Sequence, residues 1–276
     1  MYFDKEIITS RNNQFVKWVS SLSEKKSRKE HGYFLAEGVK LTREALEAGL
    51  PVDYLIVSDK RKDAVIDELE KFYSSEKYEK TKFVTVSEGV FEKISTEKAP
   101  QGVISVIKHL DFFRDMDIIY KEEFFLEPEE KAIFLFSLRD PSNLGAVIRS
   151  SVAFGIDHII LSDDCADIYS PKTVRSAMGS IYRVKVTTVK DVKSFIEAAQ
   201  QNSRRVFAAE LSDRAVSLHD VGLVGSDIVM IGNEGHGIDP EISALCDGSV
   251  YIPISKKTES LNASVAAAIF MWEQSK

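Results

Sequence analysis

Two cysteines, Cys165 and Cys246, are all that the 276 residues contain. They lie far apart with no metal-ligand partner at useful spacing, so disulfides and zinc are not expected and both read as buried, reduced thiols. Histidine is sparse as well: His31, His109, His158, His219 and His236 form no H-x-x-x-H pair and no cluster with carboxylates. The chemistry is therefore expected to be metal-independent. No apolar run approaches the length that spans a bilayer, and the opening MYFDKEIITSRNNQF lacks the basic-then-apolar layout of a secretory signal. A cytoplasmic protein is expected. An excess of positive charge is missing too. A formal net charge of −7 excludes a protein that coats nucleic acid by bulk attraction, so any contact with a polyanion must be local.

What is present is a chain that is 44% hydrophobic and 29% charged, enough for a sizeable core in one large domain or two smaller ones. Its charge segregates. Residues 11–43 hold eight Lys/Arg against Glu24, Glu30 and Glu37, a net of +5, whereas residues 111–130 hold eight acids against Arg114 and Lys121, a net of −6. The basic cluster Lys25, Lys26, Arg28 and Lys29 sits in an apparent turn without balancing acids, and it is the expected RNA-binding site if the N-terminal part docks an anionic partner.

Phe15, Trp18, Val19 and Leu22 fall at helical spacing, and a second helix begins after Glu37-Gly38. Strand-like runs at Tyr54 to Val57, Phe83 to Val86 and Gly102 to Ile107 alternate with helical stretches at Ala64 to Tyr73 and Gly89 to Ile94. This predicts a compact α/β domain over residues 1–108. Residues 109–130 read as an acidic linker or solvated connecting helix. From 131 to 276 the runs IFLFSL, HIILS, YRVKVTTV, VFAAEL, DIVMIG and VYIPI alternate with helices, and continuous apolar strands of this kind predict a parallel sheet covered on both faces.

Open parallel sheets bind ligands beyond the carboxyl ends of their strands, which directs attention to three loops. The first, Arg139-Asp140-Pro141-Ser142-Asn143-Leu144-Gly145, opens a helix carrying Arg149. Its Asp140, Ser142 and Asn143 also suit plain helix capping. Arg149 is less easily explained, because a guanidinium near a helix start opposes the macrodipole. It also has Val147, Ile148 and Val152 as neighbours. The loop has one glycine and no G-x-G-x-x-G, so a dinucleotide-dependent oxidoreductase is disfavoured. The second loop, Gly232-Asn233-Glu234-Gly235-His236-Gly237, is a glycine turn after a strand, but Glu234 repels phosphate. A neutral or cationic ligand suits it better. The third stretch, Ile252-Pro253-Ile254 through Ser260-Leu261-Asn262, runs into a last helix rich in small residues. Ser260 reads as its N-cap. Asn262, inside the first turn, is a poor helix former there and implies a specific side-chain partner.

Together, DPSNLGAVIRSSVAFGI, IGNEGHGI and IPISKKTESLNASVAAAI resemble, in order and spacing, the three signature motifs of the SpoU (TrmH-like) RNA 2′-O-ribose methyltransferases of the SPOUT superfamily. SPKTVRSAMGS resembles a further family segment, so the likeness runs from about Ile133 to Trp272. Residues Asn13 to Ile107 are similar to the L30e-like substrate-binding domain of ribosomal-RNA members. Two departures are visible: Ser142 stands where a glycine is frequent, and the acidic connector is long. The resemblance implies an N-terminal L30e-like α/β domain and a C-terminal SPOUT parallel-sheet domain with a trefoil knot, acting as a homodimer with S-adenosylmethionine. It implies that Gly232, Asn233, Ile252, Leu261 and Ala209 hold that cofactor, and that Asn143, Arg149, Glu234, Ser260 and Asn262 form the polar active site. It implies methyl transfer to a ribose 2′-hydroxyl of structured RNA, foremost 23S ribosomal RNA. The alternatives are a tRNA 2′-O-methyltransferase and a catalytically silent RNA-binding homologue.

Overall fold

The computed structural model describes residues 6–72, 78 and 80–276. In chain order the elements are β1 (Ile7–Ile8), α1 (Gln14–Ser21), α2 (Lys25–His31), β2 (Tyr33–Glu37), α3 (Val39–Ala48), β3 (Val52–Ser58), α4 (Lys62–Leu69), β4 (Lys82–Val86), α5 (Glu88–Ile94) and β5 (Val103–Lys108). They continue with β6 (Phe113–Met116), β7 (Ala132–Leu135), α6 (Pro141–Ala153), β8 (His158–Ser162), α7 (Pro171–Ala177), β9 (Lys185–Val189), α8 (Val192–Gln201) and β10 (Val206–Ala209). The last are β11 (Ala215–Ser217), β12 (Ile228–Ile231), α9 (Pro240–Ser243), β13 (Gly248–Tyr251) and α10 (Ala263–Gln274).

The chain divides into two compact units. The first holds the residues up to Leu110 together with Asp167–Tyr182, and the second holds Asp111–Ala166 and Arg183–Lys276. Unit 1 is a mixed five-stranded sheet in the order β1-β4-β3-β5-β2, with β5 antiparallel to both its neighbours. One face of the sheet, with Leu35, Ile56, Ile104 and Val106, packs under Val16 and Val19 of α1 and Val90 and Phe91 of α5. Fully burying side chains of this size contributes about 1.5–3 kcal/mol each. Helix α1 starts where the Asn13 side chain accepts the Phe15 N–H at 2.8 Å. Helices α2 and α3 end on Gly32 and Gly49, both in the left-handed region that a residue without Cβ adopts freely. Helix α7 closes unit 1 through its own anchor: Tyr169 stacks on Phe34 and His109, and its hydroxyl accepts the Leu110 N–H at 2.7 Å.

Three expectations change here. The basic run is not a turn but helix α2, and Arg28 faces inward at 3% exposure. Its guanidinium donates to the Leu22 and Ser23 carbonyls and pairs with Asp167, so it is not available to RNA phosphates. Lys25, Lys26 and Lys29 stay exposed. Strand β2 was hidden behind the charges that flank it. The helix read as Ala64 to Tyr73 is α4, which begins two residues earlier and ends at Leu69; Tyr73 lies outside the described residues.

Unit 2 is an eight-stranded sheet in the order β11-β13-β10-β12-β7-β8-β9-β6, parallel at every pairing. Phe134, Phe195, Ile228 and Met230 belong to its core. Part of the acidic segment expected as a linker is built into this unit. Its apolar residues decide the matter: β6 pairs with β9, and Ile119 and Leu126 are buried. Arg204, itself buried, donates to the Glu127, Pro128 and Ser226 carbonyls and pins the end of the segment. Among the described residues no helix is long and apolar enough to cross a membrane. Cys165 and Cys246 are buried and unbonded to one another, and burial pushes both thiols up, Cys246 to about 12.

Glu130 is buried beside His158, whose Nδ1 lies 3.3 Å from Oε1, and it accepts the Lys185 ammonium at 2.8 Å. The His158 Nε2 is 2.8 Å from the Thr187 hydroxyl. Burial lowers His158 to about 4, against the pull of Glu130. An unfolded histidine titrates near 6.5, so as pH falls below that value the unfolded chain takes up a proton that the fold refuses. Unit 2 is therefore expected to lose stability between about pH 6.5 and pH 4, by up to about 3 kcal/mol from this group. Urea unfolding at several pH values checks it: His158→Gln should flatten the slope across that window, and an unchanged slope refutes the assignment.

Candidate active site

Because all strands of unit 2 run the same way, the loops after β7, β12 and β13 emerge at one edge of the sheet. Helix α6 begins after β7 with Asp140 as N-cap, its carboxylate accepting the Ser142 and Asn143 N–H groups at 2.5 and 3.4 Å, and with Pro141 in the first turn. Ser137, just before, has a φ of +55° and is held by neighbours: its N–H donates to Ser162 Oγ at 2.8 Å, its hydroxyl to Asp164 at 2.6 Å. Its carbonyl accepts Asn233 Nδ2 at 2.7 Å, which ties the loop after β7 to the glycine turn after β12.

That turn is tight. Asn233 and Gly237 exchange both backbone hydrogen bonds at 3.0 and 2.9 Å, and the Asn233 side chain accepts the Gly235 and His236 N–H groups. A Cβ on Gly232 would lie 2.5 Å from the carbonyl carbon of Gly237, so no side chain fits there.

The turn presents Glu234, and the centre of the site is a chain of side-chain amides leading to it. Asn262 Nδ2 donates to Asn143 Oδ1 at 3.0 Å, and Asn143 Nδ2 donates to Glu234 Oε1 at 2.7 Å. Asn262 Oδ1 faces the other way, accepting the Ser264 and Val265 N–H groups at 2.9 and 3.3 Å and so capping α10. Ser260 was expected as that cap. It lines the neighbouring cavity instead, and Asn262, placed by sequence inside the first turn, stands at the N-cap.

A cavity of about 560 Å³ opens beside this chain of amides. Ala209, Gly232, Asn233, Ile252 and Leu261 line it, with Glu234 and Ser260 among the polar groups. Its volume falls in the range of small-molecule sites, roughly 300–1,000 Å³. Among the described residues, no backbone hydrogen bond uses Ile252, Pro253, Ile254 or Leu261, which leaves free main-chain donors and acceptors on a largely apolar wall. That donor set fits a flat heteroaromatic base bound through its edges, and the carboxylates suit a cationic rather than a phosphorylated ligand.

Arg149 is not part of this group. It follows Asn143 by six residues, about 120° around the helix, and its exposed side chain has no hydrogen bond or ion pair among the described residues. Sequence reasoning missed two contributors, Ser137 and Glu210. Glu210 lines the cavity and accepts the hydroxyls of Ser243 and Ser249, partners 33 and 39 residues away that no local motif reveals.

Its match to a family of methylases makes the chain a methyltransferase. Residues 130–272 match the SpoU rRNA Methylase family, and residues 13–105 match the MRM3-like substrate binding domain. The chain belongs to the SpoU rRNA Methylase family. It is 29% identical over 265 residues to the 23S rRNA (guanosine(2553)-2′-O)-methyltransferase RlmP of Bacillus subtilis, covering 96% of this chain and 97% of that one. It is also 29% identical over 272 residues to the 23S rRNA (uridine(2479)-2′-O)-methyltransferase of Streptomyces viridochromogenes, covering 96% and 90%. The crystal structure of an AdoMet-bound rRNA methyltransferase from Sinorhizobium meliloti superposes with a TM-score of 0.78 at 26% identity, over 98% of this chain and 97% of that one.

The double role of Asn262 makes its two functions separable. Asn262→Ala removes the cap and should cost about 1 kcal/mol of stability, whereas Asn262→Asp keeps the cap acceptor and should melt close to wild type. Thermal unfolding of the two variants checks this, and equal losses would show that the link to Asn143, not the cap, holds α10.

Proposed function

We propose that this protein moves the methyl group of S-adenosylmethionine onto a ribose 2′-hydroxyl of structured RNA, with 23S ribosomal RNA as substrate, as a cytoplasmic homodimer. The observation that carries the reading is the chain of amides from Asn262 through Asn143 to Glu234 on the rim of the nucleoside-sized cavity. The same reading gives unit 2 the trefoil knot of the family and gives Lys25, Lys26 and Lys29 of α2 to RNA phosphates.

Gly232, Asn233, Ile252, Leu261 and Ala209 would hold the donor, through backbone groups for the most part. The bound donor supplies a methyl group on a sulfonium that is already a good leaving group. What the chain adds is alignment, which is worth a large share of such a barrier. Asn143 and Asn262, their amides locked by Glu234, orient the nucleotide together with Ser260. Arg149 stabilises the developing alkoxide. A guanidinium has donors and no acceptor, so the hydroxyl proton passes to water or to an RNA phosphate.

Homodimerisation is supported by the outer face of α10. Val265, Ile269 and Trp272 share one stripe, with Val265 48% and Trp272 54% exposed, and the Trp272 ring touches Phe154 at the end of α6.

S-adenosylmethionine and S-adenosylhomocysteine are expected to bind, and NAD is not; calorimetry decides, and tight NAD binding without response to the other two refutes the reading. Arg149→Ala should keep S-adenosylhomocysteine affinity and lose about 10²–10³-fold in turnover on unmodified 23S ribosomal RNA. Near-normal turnover sinks the role of Arg149. Donor binding without methylation of ribosomal RNA or tRNA marks a silent homologue, and methylation of tRNA alone moves the substrate. Trp272→Asp should convert a dimer to a monomer in light scattering; an unchanged mass places the interface elsewhere.

A further inference from the structure

We propose that Glu210 binds the ribose hydroxyls of the nucleoside donor, an inference that rests on the donor reading above. Glu210 directly follows β10, and its N–H donates to the Val250 carbonyl at 3.1 Å, which fixes its backbone against β13. Its Oε1 accepts the Ser243 hydroxyl at 2.8 Å and the Ser249 hydroxyl at 2.7 Å. Arg214 stands 3.8 Å away and is engaged with Ser243, through its carbonyl and its hydroxyl. Although burial alone would raise it, these hydroxyls hold the carboxyl below the usual range, so the group is ionised at neutral pH.

Ser243 ends α9 and Ser249 lies within β13, so two separate stretches hold one carboxylate. The side chain keeps 22% exposure, and the surface it keeps lines the cavity. A carboxylate accepts at about four lone-pair positions, so hydroxyl bonds on one oxygen leave acceptor capacity turned toward a ligand. Position selects the part of the ligand. In the sheet order β13-β10-β12-β7, Glu210 follows β10, Glu234 follows β12 and Asn143 belongs to the helix after β7. At about 4.8 Å per strand, Glu210 is set back roughly 10 Å from the loop that bears Asn143. A sulfonium aimed at Asn143 and Glu234 leaves its ribose ring one step back, over β10. A vicinal diol offers two donors to one carboxylate, the same complementarity by which an acidic residue reads the ribose in dinucleotide folds.

The test is calorimetric binding of S-adenosylhomocysteine, of its analogues lacking the 2′- or 3′-hydroxyl, and of 5′-methylthioadenosine, which keeps the ribose but has no amino-acid tail. Wild type should bind at least one deoxy analogue roughly tenfold to hundredfold more weakly than the parent, the size expected for a hydrogen bond to a charged group. Glu210→Gln keeps an acceptor for Ser243 and Ser249 and should lose affinity for S-adenosylhomocysteine and for 5′-methylthioadenosine alike, while no longer discriminating against the deoxy analogue. Equal affinity of wild type for parent and both deoxy analogues overturns the proposal, and needs no variant to fold. A loss in Glu210→Gln that disappears with 5′-methylthioadenosine also overturns it, by assigning the carboxylate to the amino group of the tail. Failure of wild type to bind S-adenosylhomocysteine at all removes the donor reading and this assignment with it, an outcome distinct from either of the others.

Discussion

The Glu234 carboxylate accepts a hydrogen bond from Asn143, and this single contact propagates through the site. Asn143 must turn its NH₂ toward Glu234, which leaves its oxygen for Asn262. Asn262 must then turn its own NH₂ toward Asn143, which leaves its oxygen for the bare N–H groups of α10. Each amide is oriented from both sides, and a flip of either would bring two acceptors or two donors together. Loops separated by 91 and 119 residues in sequence are thereby registered to one another. The parallel sheet brings them to a common edge, and the polarity of the chain of amides determines which atom each turns to its neighbour. A helix cap, usually a local device, here also serves as one end of a network that joins three loops.

Much of this was legible in the sequence, for physical reasons that differ from residue to residue. Continuous apolar runs such as IFLFSL and DIVMIG announce strands buried on both faces, and the eight-stranded parallel sheet follows. Asn262 stood out because an amide among small apolar residues needs a partner, though its position was off by the one step that separates a first turn from a cap. The reading of the basic run failed on direction. Four cations in five residues look alike in sequence, yet in α2 one of them, Arg28, points at carbonyls left unpaired where α1 ends, while its neighbours point to solvent. The acidic segment failed for the opposite reason: its charges outweighed the few apolar residues that make β6 a strand. Glu210 was invisible, since its meaning lies in hydroxyls contributed by α9 and β13.

Helix α7 belongs by its packing to unit 1, although the chain enters and leaves it from unit 2. The backbone thus crosses between the units at three places, after Leu110, Ala166 and Tyr182. Neither unit is a continuous stretch of chain. A gene fragment stopping at residue 110 would encode a sheet stripped of Tyr169, of the carboxylate that neutralises buried Arg28, and of the helix against β2; it would expose an unpaired buried charge. The two halves are therefore not interchangeable modules in the genetic sense. A recombination event that swapped the N-terminal part onto another catalytic part would have to carry a sixteen-residue insert in the receiving half along with it, so the two must diverge as a matched pair.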